Sequence, residues 1–119
     1  DTHPDTLSSI NNLGSLLKAQ DDLKNAAPLL REALAGYRAT LGDTHPGTLT
    51  SINNVGLLLQ DEGDLKNAAP LLREALAGRR ATLGDTHPST LRSIDNLGTL
   101  LQDQGDLENA APLLREALA

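Results

Sequence analysis

Hydrophobic residues recur along the chain at spacings of three and four, and short segments rich in Gly, Asp and Pro separate them. In the middle of the chain, one such stripe consists of Leu49, Ile52, Val55, Gly56 and Leu59. This spacing places the side chains on one face of an α-helix. After the polar segment 61–64 a second stripe follows, with Ala68, Leu72, Ala75, Leu76 and Leu83. No segment alternates with a period of two, so the pattern predicts an all-α protein.

The polar segments carry signals for the start and the end of helices. Gly42 suits the position just past a helix end, and Pro46 suits the first position of the next helix. His45 precedes the proline and is therefore steered out of the α region, which makes it the expected N-cap. Gly63 suits a left-handed turn and Asp64 an N-cap. Each helix is predicted to have about 16–19 residues, or about 25 Å at the α-helical rise.

The whole pattern repeats every 42 residues. The segments DTHPDTLSSINNLG, DTHPGTLTSINNVG and DTHPSTLRSIDNLG begin at Asp1, Asp43 and Asp85. The first two copies are identical at 33 of 42 positions, and the last two at 28 of the 35 that both contain. We expect a piece of a longer array, and the close copies fit either recent duplication or consensus engineering. One continuous repeat domain is predicted, with repeats at 1–42, 43–84 and a truncated 85–119.

A single pair of such helices cannot bury its own apolar face, so the copies are expected to stack into a solenoid. Gly56, Ala68 and Ala75 lie on the apolar faces, where small side chains let helices approach closely. Gly36 and Gly78 in the second helices are interpreted in the same way, with a flexible point as the alternative. Composition agrees, because the hydrophobic residues are nearly all Leu and Ala and Tyr37 is the one aromatic residue. The stripes do not determine the hand of the superhelix.

The motif NNLG-x-LL followed by D-L-x-N-A-A-P-L-L-R-E-A-L resembles the tetratricopeptide repeat along all 119 residues. The 42-residue unit, with DTHPxTL and PLLREAL, is similar to repeats of kinesin light chains, nephrocystin-like proteins and the sensor arrays of some signalling NTPases. Two departures stand out: the usual unit has 34 residues, and Arg38 and Arg80 replace the proline that usually closes the second helix. The resemblance implies a right-handed superhelix of three repeats, whose concave groove is lined by first helices and holds peptides or partner proteins.

The three copies differ mainly along one stripe of the first helix. In the first repeat, the differing positions are Asp5, Ser8, Asn11, Ser15, Lys18 and Ala19, opposite the apolar stripe. In the second helices the copies differ only at Lys24/Lys66/Glu108 and at Tyr37/Arg79. We interpret the stripe as a solvent-facing binding face, with neutral drift of surface positions as the alternative. With the neighbouring asparagines, the predicted peptide-binding groove consists of Ser8, Asn11, Asn12, Ser15, Lys18, Thr50, Asn53, Asn54, Leu57, Gln60, Arg92, Asp95, Asn96, Thr99 and Gln102.

These residues predict a non-catalytic scaffold that binds a protein or peptide ligand through amide and hydroxyl groups, with Lys18 and Arg92 selecting acidic groups. The alternative is a structural array, or an engineered consensus array without a ligand, which associates head to tail. No polar cap covers the ends of this sequence, and terminal repeats normally need one. A head-to-tail contact does not close into a symmetric dimer, so it would extend from one molecule to the next. The residues predicted for the end-to-end contact are Leu7, Ile10, Leu13, Ala111, Leu114 and Leu118.

Other chemistries find no support in the sequence. The net charge of −6 argues against nucleic acid, and the chain has no cysteine for disulfides, thiolate metal sites or nucleophiles. His3, His45 and His87 occupy identical turns, so we expect them to cap helices rather than to bind metal. Ser, His and Asp occur as copies of a turn and form no catalytic set, and no phosphate-binding loop is present. We expect no enzyme activity, no cofactor, no metal and no membrane association, and a cytoplasmic location.

Overall fold

The computed structural model describes residues 3–118 of the chain, which form six α-helices with no strand among them. The helices pair into three hairpins, and the described part measures 42 × 30 × 20 Å. No helix in this part is both long and apolar enough to cross a lipid bilayer. The helix bounds are α1 Pro4–Ala19, α2 Leu23–Leu41, α3 Pro46–Asp61, α4 Leu65–Leu83, α5 Pro88–Asp103 and α6 Leu107–Leu118.

The helices begin and end where the sequence predicts. His45 is the N-cap of α3, and its Nδ1 accepts a hydrogen bond of 3.0 Å from the backbone N–H of Gly47. His3 and His87 cap α1 and α5 in the same way. Gly63 has a φ of 82°, the left-handed conformation that a residue with a side chain rarely adopts. The three histidines therefore cap the first helices, as expected.

Glycines allow the two helices of each hairpin to approach closely. A Cβ on Gly56 of α3 would lie 2.7 Å from Cδ2 of Leu72 in α4. Gly78 of α4 meets the side chain of Leu49 in α3 so closely that a Cβ would overlap it. Leu49 and Leu72 are almost fully buried at these contacts. Close packing, rather than flexibility, therefore explains these glycines.

The hairpins stack in chain order around a continuous Leu- and Ala-rich core. Each second helix packs on the first helix of the next hairpin, α2 on α3 and α4 on α5. The first helices also touch one another directly, α1 with α3 and α3 with α5. Among the described residues, no such contact joins α2 to α4 or α4 to α6. Because successive first helices lie closer together than successive second helices, the stack curves with its first helices on the concave side.

The two ends of the stack differ from the prediction in one important respect. Leu7 is not available for an end-to-end contact, because it is 1% exposed and packs inside its own hairpin with Ala33 and Tyr37. Leu13 is exposed, as predicted, and Leu16 beside it is exposed as well. Of the other predicted residues, Leu118 is exposed, whereas the following are half-buried: Ile10, Ala111 and Leu114.

Candidate peptide-binding groove

The predicted groove residues lie on the concave, first-helix side, but they are not all exposed. Thr50, Arg92 and Thr99 are open to solvent. Asn11 and Asn53 were expected to be exposed and are instead 8% and 4% exposed. Their side chains lie in the seam between neighbouring first helices, where the next helix covers them. Exposed residues also include Ser8, Asn12, Asp95 and Gln102, and the half-buried ones are Ser15, Lys18, Asn54, Leu57, Gln60 and Asn96.

Asparagines connect the first helices along the groove. Nδ2 of Asn54 donates to Oδ1 of Asn11 at 3.3 Å and to Oγ of Ser15 at 3.4 Å. One repeat further on, Nδ2 of Asn96 donates to Oδ1 of Asn53 at 3.3 Å. We call Asn11, Asn53, Asn54 and Asn96 the asparagine ladder. Because these hydrogen bonds join neighbouring first helices, the ladder holds the repeats in register. Its amide groups therefore have fewer donors and acceptors left for a ligand than the sequence predicts.

Some charged and polar side chains of the groove are already paired with other residues of the protein. Nζ of Lys18 lies 3.2 Å from a carboxylate oxygen of Asp61 in the next first helix. The amide of Gln60 donates to Asp103 at 3.0 Å in the corresponding place. Arg92, in contrast, has no carboxylate partner among residues 3–118. Of the two cations predicted to select acidic groups, Arg92 is therefore free to do so and Lys18 is neutralised.

Two second-helix residues form the floor of the groove, and the predicted set does not include them. Tyr37 is 5% exposed, and its hydroxyl lies 2.9 Å from Oγ of Ser8. Arg79 occupies the equivalent position one repeat later, is also 5% exposed, and reaches Oγ1 of Thr50 at 3.4 Å. Ser8 and Thr50 correspond to each other, so both floor residues touch the same place in the groove. The Tyr37/Arg79 difference between otherwise constant second helices was the signal that could have identified them.

The identity of the floor residue is coupled to its surroundings. A Cβ on Gly47 would lie 3.2 Å from the ring of Tyr37, so the glycine leaves room for that ring. At the next junction the equivalent residue is Ser89, and the slimmer Arg79 donates to its carbonyl oxygen. Part of the variation along the predicted stripe is therefore a consequence of packing and not of ligand selection.

The opposite, second-helix side carries ion pairs between repeats. Arg38 binds both carboxylate oxygens of Glu74 at 2.7 and 2.8 Å, and Arg80 binds Glu116 with the same geometry. The hydrogen bonds from Arg80 lower the pKa of Glu116 below its ordinary value, and those to Glu116 raise the pKa of Arg80. Glu74 and Glu116 thus form ion pairs with arginines of the preceding repeat. An apolar cleft opens beside the second pair, lined mainly by Leu76, Ala77, Leu97, Leu101, Pro112 and Leu113.

Comparison with known proteins agrees with this architecture. A family model described as tetratricopeptide repeat matches residues 5–81 and 48–119. A crystal structure of a candidate kinesin light chain from Podosopora anserina, with nearly identical TPR-like repeats, is 30% identical with a TM-score of 0.87. A single-substitution variant of that protein is 28% identical with a TM-score of 0.86. The alignments cover 97% of this chain and 55% and 54% of the two others.

BtubC (BKLC) from P. vanneervenii shares the fold at 20% identity, with a TM-score of 0.88 over 94% of this chain and 44% of that protein. The chain therefore spans about half the length of the solved structures that it matches. No curated protein sequence is similar enough to count as a match. Two overlapping matches to the family model together cover nearly all of the described residues. The chain therefore belongs to the tetratricopeptide repeat family.

Proposed function

We propose that this chain is a non-catalytic scaffold that holds a peptide segment of a partner protein in its concave groove. Tetratricopeptide repeats generally mediate interactions between proteins, and the groove is the surface on which these three repeats differ most. The observation that carries the proposal is the contrast between the two helix layers. The first helices differ at exposed positions such as Thr50, Arg92 and Thr99, whereas the second helices are almost invariant.

Hydrogen bonds and ion pairs within the protein support a smaller group of ligand-contacting residues than the predicted set. The asparagine ladder and Lys18 are engaged within the protein, so the remaining hydrogen-bonding groups lie on either side of it. We infer that a ligand contacts mainly Ser8, Thr50, Leu57, Arg92, Thr99 and Gln102, with the ladder fixing the distance between successive contacts. An extended peptide suits such a strip, because its side chains can be recognised at regular intervals.

The test is a selection of peptides from a random library, followed by affinity measurements on matched variants. Thr99→Glu changes an exposed position in the groove, and Ala77→Glu changes an exposed position in the cleft on the opposite side. We expect Thr99→Glu to weaken a selected peptide and Ala77→Glu to leave its affinity unchanged. The reverse result would assign recognition to the second-helix cleft. Circular dichroism of both variants confirms that they fold.

A second candidate function is head-to-tail assembly of copies of this chain. Val55 and Leu58 of α3 are 3% and 0% exposed because α2 covers them, whereas their equivalents Leu13 and Leu16 in α1 are 48% and 55% exposed. At the other end Leu107 and Leu118 are 63% and 88% exposed. The two open surfaces are near-copies of surfaces that already pair inside the stack, so a second copy is a suitable partner for each.

Sedimentation over a wide concentration range tests this candidate. We expect the average mass to rise with concentration without levelling off at a dimer, since the contact does not close on itself. Leu13→Lys and Leu118→Lys, at exposed positions on opposite ends, should each abolish the rise. A mixture of the two variants should give dimers only, because each retains one intact end. A monomer at every concentration would show that the open ends do not assemble.

A further inference from the structure

Arg79 is a buried cation that pairs with no carboxylate among residues 3–118. It is 5% exposed, and its guanidinium donates to the carbonyl oxygen of Ser89 at 3.2 Å and to Oγ of Ser93 at 2.8 Å. A third, longer bond of 3.4 Å reaches Oγ1 of Thr50. All three acceptors are neutral. The arginines on the other side of the stack, Arg38 and Arg80, each bind two carboxylates.

A second arginine adds to the positive charge at this place. Burial lowers the pKa of the Arg79 guanidinium, and repulsion from Arg92 lowers it further. Arg92 is exposed on α5 and has no carboxylate partner among the described residues. Buried charges in proteins are normally paired, because desolvation is costly when no opposite charge compensates it. The junction between the second and third hairpins therefore carries two positive charges that no carboxylate among the described residues neutralises.

The junction one repeat earlier is built without the charge. Tyr37 takes the place of Arg79 there, and Thr50 takes the place of Arg92. The hydroxyl of Ser51, which corresponds to Ser93, is buried and has no hydrogen-bond partner beside the tyrosine. The fold therefore accepts a neutral residue at the floor of the groove, so its architecture does not require a cation at this position.

We propose that Arg79 and Arg92 form an oxyanion site at the groove floor between α3 and α5, which binds a phosphoryl group. Two guanidinium groups provide two positive charges, and a phosphoryl group carries about −1.5 to −2 at neutral pH, whereas a carboxylate carries one charge. Guanidinium groups also match the geometry of phosphate oxygens with paired N–H donors. The hydroxyl of Thr50 supplies a further donor at the rim.

The source of the phosphoryl group is either free phosphate or a phosphorylated side chain. Only the second source rests on the proposed peptide-binding function, since inorganic phosphate needs no peptide in the groove. Testing both sources separately keeps the failure of the anion site distinguishable from the failure of the peptide groove.

The experiment follows the arginine Nε–H resonances of the whole chain by NMR during titration with inorganic phosphate, with sodium chloride at equal ionic strength as the control. We expect saturable shifts at Arg79 and Arg92, and at the backbone amides of Ser89 and Ser93. Gly47 and Ser51, at the neutral junction, should not shift. The affinity should fall as the pH decreases through the second pKa of the phosphate, because the anion then loses its second charge.

The matched variant is Arg79→Tyr combined with Ser89→Gly, which copies the pairing of Tyr37 with Gly47 and therefore preserves the packing. It should abolish the saturable shifts, and Arg92→Thr should weaken binding about tenfold, the effect of losing one charge-assisted hydrogen bond. A parallel titration with N-acetylphosphoserine amide identifies the source: equal or tighter binding indicates a phosphorylated side chain, and binding of inorganic phosphate alone indicates free phosphate. Shifts that do not saturate, that affect all arginines equally, or that persist in the Tyr-Gly variant would overturn the proposal.

Discussion

The middle hairpin and the two outer hairpins have nearly the same sequence but very different surroundings. Leu58 of α3 is fully buried, whereas the equivalent Leu16 of α1 is 55% exposed. Leu72 of α4 is 1% exposed, and the equivalent Leu114 of α6 is half-buried. The same residue in the same repeat position therefore has a different energetic role, depending on whether a neighbour packs against it. Stability in this fold belongs to the interfaces between repeats as much as to the repeats themselves.

The largest difference between the hairpins should appear when a core leucine is truncated. Leu72→Ala should reduce the free energy of unfolding by about 2–5 kcal/mol, because it leaves a cavity in the middle of the stack. Leu114→Ala should cost clearly less, because its side chain already contacts solvent. Leu16→Ala, at an exposed position, should change stability by about 0.5 kcal/mol or less. Urea denaturation of the three variants measures the series, and equal losses at all three positions would contradict the comparison.

Much of the fold was predictable from the sequence because its signals are local. The spacing of Leu49, Ile52 and Val55 indicates a helix, and the Gly42-to-Pro46 turn sets its start. The burial of individual residues was harder to predict, because it depends on contacts between repeats. Asn53 looks like a surface residue within its own helix, yet the next first helix covers it.

The same limit applies to the candidate site. Variation among the copies predicts a binding face on the first helices, but it does not separate residues that would face a ligand from residues that accommodate a neighbour. Gly47 varies together with Tyr37 for reasons of space, and Lys18 is neutralised by Asp61. Arg79 was visible only as a single difference in the second helix, and its burial required the structure.

Adding a methyl group to a glycine tests the same comparison by overfilling the core instead of leaving a cavity in it. In Gly56→Ala the new Cβ would press against Leu72, and we expect a loss of about 1–3 kcal/mol, as for other overpacked cores. Gly98→Ala creates the same contact with Leu114, but that half-buried side chain has room to move toward solvent. Its loss should be the smaller of the two. Thermal and urea denaturation provide the measurement, and a larger loss at Gly98 would show that the outer hairpin is packed as rigidly as the middle one.

The asparagine ladder gives a smaller effect with a clear control. Asn53→Ala removes the acceptor for Asn96 in a buried seam and should cost about 1 kcal/mol. Asp95 occupies the equivalent position of α5 but is exposed, so Asp95→Ala should be nearly neutral. Equal effects of the two substitutions on the midpoint of urea unfolding would mean that the ladder contributes nothing.

The smallest effect concerns the ion pair on the second-helix side of the last junction. Because hydrogen bonds from Arg80 lower the pKa of Glu116 from its ordinary value of 4.5, the pair stabilises the fold above that pH. The contribution should disappear as the pH falls through the lower, folded value. Melting curves at decreasing pH should therefore show a slightly smaller acid-induced loss in Glu116→Gln than in the parent chain. An identical pH dependence would show that the half-buried pair has no net effect on stability.

The central claim, that neighbouring repeats and not the repeat sequence determine local stability, is tested most directly by native-state hydrogen exchange. The measurement compares equivalent backbone amides in the three hairpins at a protein concentration where the chain is monomeric. We predict the slowest exchange in α3 and α4, around Leu58 and Leu72, and faster exchange at the equivalent positions Leu16 and Leu114 of the outer helices. Equal protection at equivalent positions of all three hairpins would contradict the account.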